Sequence, residues 1–133
     1  MTSAGKNVAP APLEDAIRAH PLVSQCIVVG DERPYVAALI TLDAEAVPGW
    51  LTGQHRRPDV PLAQLVDDPA VRQCLSAAVA RANAAVSKAE AIKRFAVLPV
   101  DFTEAEGHLT PTLKLRRDVV LRDFAADVDA LYA

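Results

Sequence analysis

The apolar residues of this chain switch between strand-like runs and helix-like spacing. Within residues 24–42, two almost continuously apolar runs flank a turn-forming stretch, residues 30–34. Runs of this kind, rich in β-branched residues and separated by turn formers, predict an antiparallel β-hairpin. Because the runs are apolar at nearly every position, we expect helices to cover the strands on at least one face.

Two short segments are expected to be helical. Residues 12–20 begin with proline, continue with acidic residues and end with basic ones, as helix starts and the helix macrodipole favour. A second helix is predicted over residues 44–51, with Asp43 as its cap. Pro48 and Gly49 weaken this second prediction.

The longest predicted helix begins at the sequence Asp67-Asp68-Pro69 and runs to about Val86. A single apolar stripe at helical spacing supports it. The stripe consists of Val71, Leu75, Val79, Ala82 and Val86.

The last third of the chain supplies one more strand and a final helix. Residues 92–100 alternate and then become apolar, which predicts a strand. Residues 119–132 place Val120, Phe124, Val128 and Leu131 on one helix face. The order α-ββ-α-α-β-α predicts an α+β fold, a small sheet of about three strands with an antiparallel hairpin, flanked by helices.

Composition narrows the class of protein. The chain has 133 residues, of which 51% are hydrophobic, and this is enough for the core of a single domain. Its net charge of −3 argues against a nucleic-acid-binding surface. No run approaches the roughly 18 apolar residues of a membrane span, and residues 1–12 do not read as a signal peptide. We therefore predict a cytoplasmic protein in which Cys26 and Cys74 are buried thiols.

The histidines and acidic residues give little sign of a catalytic or metal site. His20, His55 and His108 are scattered and lack the paired spacing of zinc ligands, so we predict no metal site. Three acidic residues near the C-terminus are interpreted as a solvated loop rather than a catalytic dyad: Asp101, Glu104 and Glu106.

One lysine stands out against this composition. Arginine outnumbers lysine ten to four, yet Lys114 supplies a cation in the turn-rich stretch GHLTPTLKLRR. Pro111 fixes part of this loop, and Thr110 and Thr112 can bond locally to the backbone. On residue type alone, a loop lysine is usually a solvated charge.

The N-terminal stretch SAGKNVAPAPLED is also loop-like. Gly5 permits positive φ or a close approach of the backbone, and Asn7 tolerates turns. The sequence AGKN is too short for a P-loop. Because the chain begins inside a dense loop, we expect it to be the end piece of a longer protein.

Three stretches together resemble a known family: SAGKNVAPAPLED, HPLVSQCIVVGDERPYVAALITLD and HLTPTLKLRR. They are similar to the C-terminal domain of long-chain acyl-CoA synthetases, which are fatty-acid–CoA ligases of the adenylate-forming (AMP-binding) superfamily. The resemblance covers nearly all of residues 1–133. It implies a single mobile lid domain whose large N-terminal partner domain lies outside this sequence.

The resemblance also implies functional residues. Lys114 matches the lysine that reaches the acyl carboxylate and the α-phosphate during adenylation. A small-residue loop, expected to line the pantetheine channel during thioester formation, matches Ala4, Gly5, Lys6 and Asn7. Family members commonly have a second glycine where this chain has Ala4. The loop expected to support the lysine contains Gly107, Thr110, Pro111 and Thr112.

The implied reaction converts fatty acid, ATP and CoA to acyl-CoA, AMP and pyrophosphate. ATP with Mg²⁺, CoA and the fatty acid are expected to bind mainly to the absent N-terminal domain, with no cofactor tightly bound here. The isolated domain is expected to be inactive, and the full-length enzyme could associate peripherally with membranes.

Several alternatives stay open at this point. The chain could instead be a stand-alone α+β binding or regulatory module without catalysis. Lys6 could contact CoA or face solvent. Four basic residues are candidates for contacts with the CoA phosphates: Arg56, Arg57, Arg116 and Arg117.

Overall fold

The computed structural model describes residues 10–30, 33–112 and 114–132. Its elements in chain order are α1 (Pro10–Arg18), β1 (Val23–Val29), β2 (Val36–Leu42), α2 (Val47–Gly53), α3 (Pro69–Asn83), β3 (Ile92–Val97), α4 (Arg117–Asp123) and α5 (Ala125–Leu131). The strands form one sheet in the order β1-β2-β3. Strand β1 pairs with β2 antiparallel, and β3 pairs with β2 in parallel. The predicted α+β fold with an antiparallel hairpin is confirmed.

The sheet separates two hydrophobic cores, which explains the continuous apolar runs of the hairpin. Every residue of β2 is buried. Alternate residues of the hairpin pack toward α1 and α3, in a core that includes Leu13, Ile17, Cys26, Ala38, Ile40 and Leu75. The other residues pack toward α4 and α5, in a core that includes Ile27, Ala37, Leu39, Val120, Val128 and Leu131. Helices therefore cover both faces of this sheet.

Helix α3 begins as predicted. The Asp68 side chain accepts a hydrogen bond from the backbone N–H of Val71, at 3.1 Å, and Pro69 follows this N-cap. The helix ends at Asn83 rather than near Val86. Four predicted stripe residues are buried within it: Val71, Leu75, Val79 and Ala82. Val86 lies beyond the helix, partly buried against the same core.

The predicted cap of α2 is wrong. The helix begins at Val47, after Ala46, which makes no side-chain capping bond. The Asp43 carboxylate instead accepts from the backbone N–H of Glu45 at 2.9 Å. Asp43 therefore closes a turn ahead of the helix, a common use of aspartate in loops.

Three other elements differ from the prediction in their bounds. The final helix is divided into α4 and α5 at Phe124, whose φ of −112° and ψ of 28° are not helical. Its apolar face survives the division, since Val120, Val128 and Leu131 are buried. Strand β3 ends at Val97 rather than near residue 100, and helix α1 occupies Pro10–Arg18 rather than residues 12–20.

The cysteines are both free thiols, but their environments differ. Cys26 is buried, as predicted, and burial raises the pKa of its thiol. Cys74 is half-buried at the edge of the same core, so its predicted burial is only partial. None of the helices within the described residues is long and apolar enough to cross a membrane.

Candidate functional site

The stretch around Lys114 folds into a short hairpin, residues 108–116, termed here the lysine hairpin. Leu109 and Leu115 pair in an antiparallel bridge. The backbone N–H of Thr110 donates to the Lys114 carbonyl at 2.8 Å, and that of Arg116 donates to the His108 carbonyl at 2.7 Å. The lysine is therefore carried by a backbone-bonded hairpin rather than by an open loop.

The threonines bond locally, as the sequence predicted. The Thr110 hydroxyl oxygen accepts from the backbone N–H of Lys114 at 3.0 Å and lies 3.0 Å from the Thr112 hydroxyl. Pro111 and Thr112 are exposed at the tip of the hairpin. Lys114 is thus bonded to Thr110 through both of its backbone polar groups.

Gly107 provides the entry to the lysine hairpin. Its φ is +80°, a conformation that side-chain-bearing residues rarely adopt. Space is not the constraint, because an added Cβ would lie 3.9 Å from the nearest atom, Cγ1 of Val119. Glycine is therefore favoured at this position by the backbone conformation rather than by space.

The Lys114 side chain is exposed, and it makes no ion pair with any residue that the structure describes. The hairpin stem below it is anchored, because Leu109 is buried and Leu115 packs against the core next to α4 and α5. A fixed stem with a free ammonium group can present a positive charge to a partner surface.

A buried histidine lies at the base of the lysine hairpin, and its burial was not predicted from the sequence. His108 is 5% exposed, and its Nε2 lies 3.1 Å from Oδ2 of Asp123. The hydrogen bond from His108, followed by one from Arg122, lowers the pKa of the Asp123 carboxyl. No spacing motif links two residues 15 positions apart on different elements, so sequence patterns offered no signal for this pair.

The interpretation of the acidic residues as a solvated loop is wrong for Asp101. Its carboxylate accepts from the hydroxyls of Ser24, at 2.6 Å, and Thr41, at 2.8 Å. Asp101 therefore attaches the segment that precedes the lysine hairpin to strands β1 and β2. Glu104 and Glu106 are exposed, as expected for a solvated loop.

The four arginines considered for CoA phosphates have different surroundings. Arg56 forms two hydrogen bonds with Asp68, at 2.7 and 3.0 Å, which lower the pKa of that carboxyl. Arg57 pairs with Asp59 at 3.0 Å. Arg116 is exposed and has no side-chain partner within the described residues, so its cation is free for an outside anion.

Arg117 is held inside the domain instead. Its guanidinium donates to both carboxylate oxygens of Glu14, each at 2.9 Å, and to the Val28 carbonyl at 3.1 Å. The buried Glu14 carboxylate also accepts from the Val28 backbone N–H at 2.7 Å. These contacts join α1, β1 and α4, so Arg117 is a structural cation rather than a free anion-binding group.

Other predicted groups do not join this site. His20 Nδ1 accepts from the backbone N–H of Leu22 at 3.1 Å, and His55 lies in the loop after α2 with a φ of 60°. Among the residues described, no group of three or more His, Cys, Asp or Glu could hold a metal ion. The predicted channel loop, Ala4, Gly5, Lys6 and Asn7, lies outside the described residues.

Comparison with protein families identifies the domain. The family model of the AMP-binding enzyme C-terminal domain matches residues 1–133. The chain belongs to this family.

Two curated proteins that are similar to this chain are both named long-chain-fatty-acid–CoA ligases. The long-chain-fatty-acid–CoA ligase FadD15 of Mycobacterium tuberculosis is 52% identical over 132 residues, which are 99% of this chain and 22% of that protein. The long-chain-fatty-acid–CoA ligase ACSBG2 of Gallus gallus is 34% identical over 150 residues, covering 100% of this chain and 20% of that protein. The domain thus spans about a fifth of the length of these relatives.

Solved structures share the fold. The A-PCP didomain of a carboxylic acid reductase from Segniliparus rugosus, in complex with AMP, has a TM-score of 0.68 and 26% identity, covering 94% of this chain and 16% of that one. The adenylation domain of a carboxylate reductase from Mycobacterium chelonae has a TM-score of 0.71 at 24% identity, covering 98% of this chain and 19% of that one. The architecture of the C-terminal domain is therefore that of adenylate-forming enzymes.

Proposed function

We propose that this domain is the C-terminal lid of an ATP-dependent long-chain fatty-acid–CoA ligase, and that Lys114 is its adenylation residue. The observation that carries the proposal is the exposed lysine on a backbone-bonded hairpin, in a chain 52% identical to FadD15 along 99% of its length. In the complete enzyme, adenylation joins a fatty acid to AMP and releases pyrophosphate. Thioester formation then transfers the acyl group to CoA and releases AMP.

The charge requirement of adenylation supports the role of Lys114. When a carboxylate attacks the α-phosphate of ATP, two anionic reactants bring negative charge onto a few oxygens. A positioned cation offsets this charge, and such electrostatic effects are usually the largest catalytic contribution. A lysine ammonium on a long, thin stem suits a site that the lid enters and later leaves.

The lysine hairpin would hold that ammonium in place with little loss of entropy on closure. Both backbone groups of Lys114 are already bonded to Thr110, so the backbone does not have to be ordered when the active site closes. What remains to be ordered is the flexible side chain. This arrangement would contribute to the rate through positioning as well as through charge.

The other substrates would be held mainly by the absent N-terminal domain of the same polypeptide. We assign ATP with its Mg²⁺, the acyl chain and most of CoA to that domain. The loop containing Ala4, Gly5, Lys6 and Asn7 would line the pantetheine channel after the lid rotates. A cytoplasmic location, and peripheral association of the complete enzyme with membranes, remain predictions.

The test is a pair of half-reaction measurements on the full-length enzyme carrying Lys114→Ala. Acyl-adenylate formation should slow by about 10²–10³-fold, the typical loss when one preorganised charge-stabilising donor is removed. Conversion of supplied acyl-adenylate to acyl-CoA should change little, because the lysine is then away from the reacting atoms.

Two comparisons make this test decisive. Lys114→Arg keeps the charge but changes its shape, so we expect poor rescue of adenylation. The exposed Lys88, outside the hairpin, gives a matched control, Lys88→Ala, which should leave both half-reactions unchanged. Normal adenylation by Lys114→Ala enzyme with an unaltered melting temperature would refute the proposal.

A further inference from the structure

His108 closes the base of the lysine hairpin with its backbone. Its N–H donates to the Thr103 carbonyl at 3.0 Å, and its carbonyl accepts from the Arg116 N–H at 2.7 Å. His108 thus bonds to the irregular segment that precedes the lysine hairpin, through Thr103, and to Arg116, the residue that ends the hairpin. Any displacement of His108 would move both ends of the hairpin together.

The buried His108 ring makes a hydrogen bond and lies against two aromatic rings. The rings of Phe102 and Phe124 lie 5.5 and 5.4 Å from it, centroid to centroid. Nε2 bonds to Asp123, whereas the buried Nδ1 has no hydrogen-bond partner within the described residues. With hydrogen on Nε2, the ring donates to the Asp123 carboxylate, and this bond fixes its rotation against the two aromatic rings.

Asp123 is well suited to hold that ring. It is the last residue of α4, and its side chain is 37% exposed, so its oxygens reach the buried ring from the surface. Its other oxygen, Oδ1, lies 3.3 Å from Nε of Arg122. One carboxylate oxygen of Asp123 is therefore bonded to Arg122, and the other is bonded to His108.

We infer that His108 and Asp123 are positioning residues that set the placement of Lys114 for adenylation, an inference that rests on the proposed function above. The path is short: Asp123 holds the His108 ring, His108 closes the hairpin base, and Thr110 bonds both backbone groups of Lys114. Neither positioning residue has to touch a substrate. Their effect is exerted through the lysine.

Asp123→Ala in the full-length enzyme tests this inference, because truncating a partly exposed side chain leaves the apolar core filled. The kcat of adenylation should fall about tenfold, the size expected for losing one hydrogen bond to a charged group. The KM values for ATP and fatty acid, and thioester formation from supplied acyl-adenylate, should not change. Asp123→Asn keeps an acceptor for Nε2–H and should restore most of the rate.

A matched control and a double variant separate positioning from general destabilisation. Asp118 is exposed on the same helix, so Asp118→Ala should leave adenylation unchanged. In a Lys114→Ala background, Asp123→Ala should cause no further loss, since there is no longer a lysine to position. A further tenfold loss in that background, or an equal loss in both half-reactions, would overturn the inference. If Lys114→Ala itself has normal adenylation, the proposed function fails first, and the two failures can be told apart.

Discussion

The interaction between Glu14 and Arg117 offers a strong test of what holds this domain together. We predict that Glu14→Ala lowers the free energy of unfolding of the 133-residue chain by about 2–4 kcal/mol. The Glu14 side chain is 8% exposed, and its carboxylate accepts hydrogen bonds from both the Val28 backbone and Arg117. Together the two side chains satisfy the amide and the carbonyl of Val28 on edge strand β1.

Two terms make up this magnitude. The first is the Val28 N–H, which loses its acceptor in a buried position, at a cost of about 1–3 kcal/mol. The second is the unpaired Arg117 guanidinium. Because its side chain is 39% exposed, water compensates part of the loss, and we assign about 1 kcal/mol. The bond from Arg117 to the Val28 carbonyl can persist.

A second ion pair of nearly equal length provides the control. Arg57 and Asp59 are 3.0 Å apart, compared with 2.9 Å for Arg117 and Glu14, but their side chains are 82% and 66% exposed. Asp59→Ala should therefore change stability by less than about 1 kcal/mol. Since the two distances nearly match, a difference in stability loss between the variants must come from the burial of Glu14 and its bond to the Val28 backbone.

Urea unfolding followed by circular dichroism measures both variants. With the m-values of small domains, Glu14→Ala should lower the unfolding midpoint by about 1–2 M, and Asp59→Ala should leave it nearly unchanged. If the two variants shift the midpoint equally, the buried pair contributes no more than a surface pair, and the reasoning is refuted. A changed m-value would indicate an altered denatured or native state instead.

Gly107→Ala should destabilise the domain by about 1 kcal/mol because the φ of residue 107 is positive, although the added Cβ has space. Thermal melting measures this loss, and an unchanged melting temperature would show that the turn relaxes. Asp68 has a folded-state pKa below its ordinary value of 3.8, so its contribution is complete above that value and is lost as the pH falls through the folded pKa. Asp68→Asn retains a helix-capping acceptor but not the charge paired with Arg56. The substitution should therefore lower the free energy of unfolding more at about pH 6 than at about pH 2. Equal losses at the two pH values would contradict this prediction. In the full-length enzyme, Gly5→Leu should slow thioester formation while sparing adenylation, and equal losses in both half-reactions would argue against the channel assignment.

Much of the fold could be predicted because local periodicity and burial agree along this chain. The apolar runs of the hairpin are buried on both faces, and the stripe of α3 faces the core from Val71 to Ala82. The ends of the helices and strands were predicted less accurately. Phe124 divides the final helix while keeping its apolar face inward, and periodicity cannot reveal a break that preserves the stripe.

The long-range contacts around the site could not be predicted, because they join residues far apart in sequence. Glu14 and Arg117 are 103 positions apart, and Asp101 bonds to Thr41 across 60 positions. Each of these pairings depends on how the helices and loops pack against the sheet in three dimensions. The sequence showed a lysine in a loop; the hairpin bonds and the histidine beneath it follow from the tertiary structure.

The contrast between Lys114 and Arg117 explains why this short stretch uses two kinds of cation. Arg117 serves three fixed acceptors at once, two carboxylate oxygens and one carbonyl, a task that suits a planar guanidinium with several donors. Lys114, three positions earlier, is exposed, and its backbone N–H and carbonyl are both bonded to Thr110. A lysine at position 117 could not span those acceptors, and an arginine at 114 would bring a broad group to a site proposed to need a narrow one. Arg117 holds α1, β1 and α4 together, whereas the exposed ammonium of Lys114 is available for the role proposed for it.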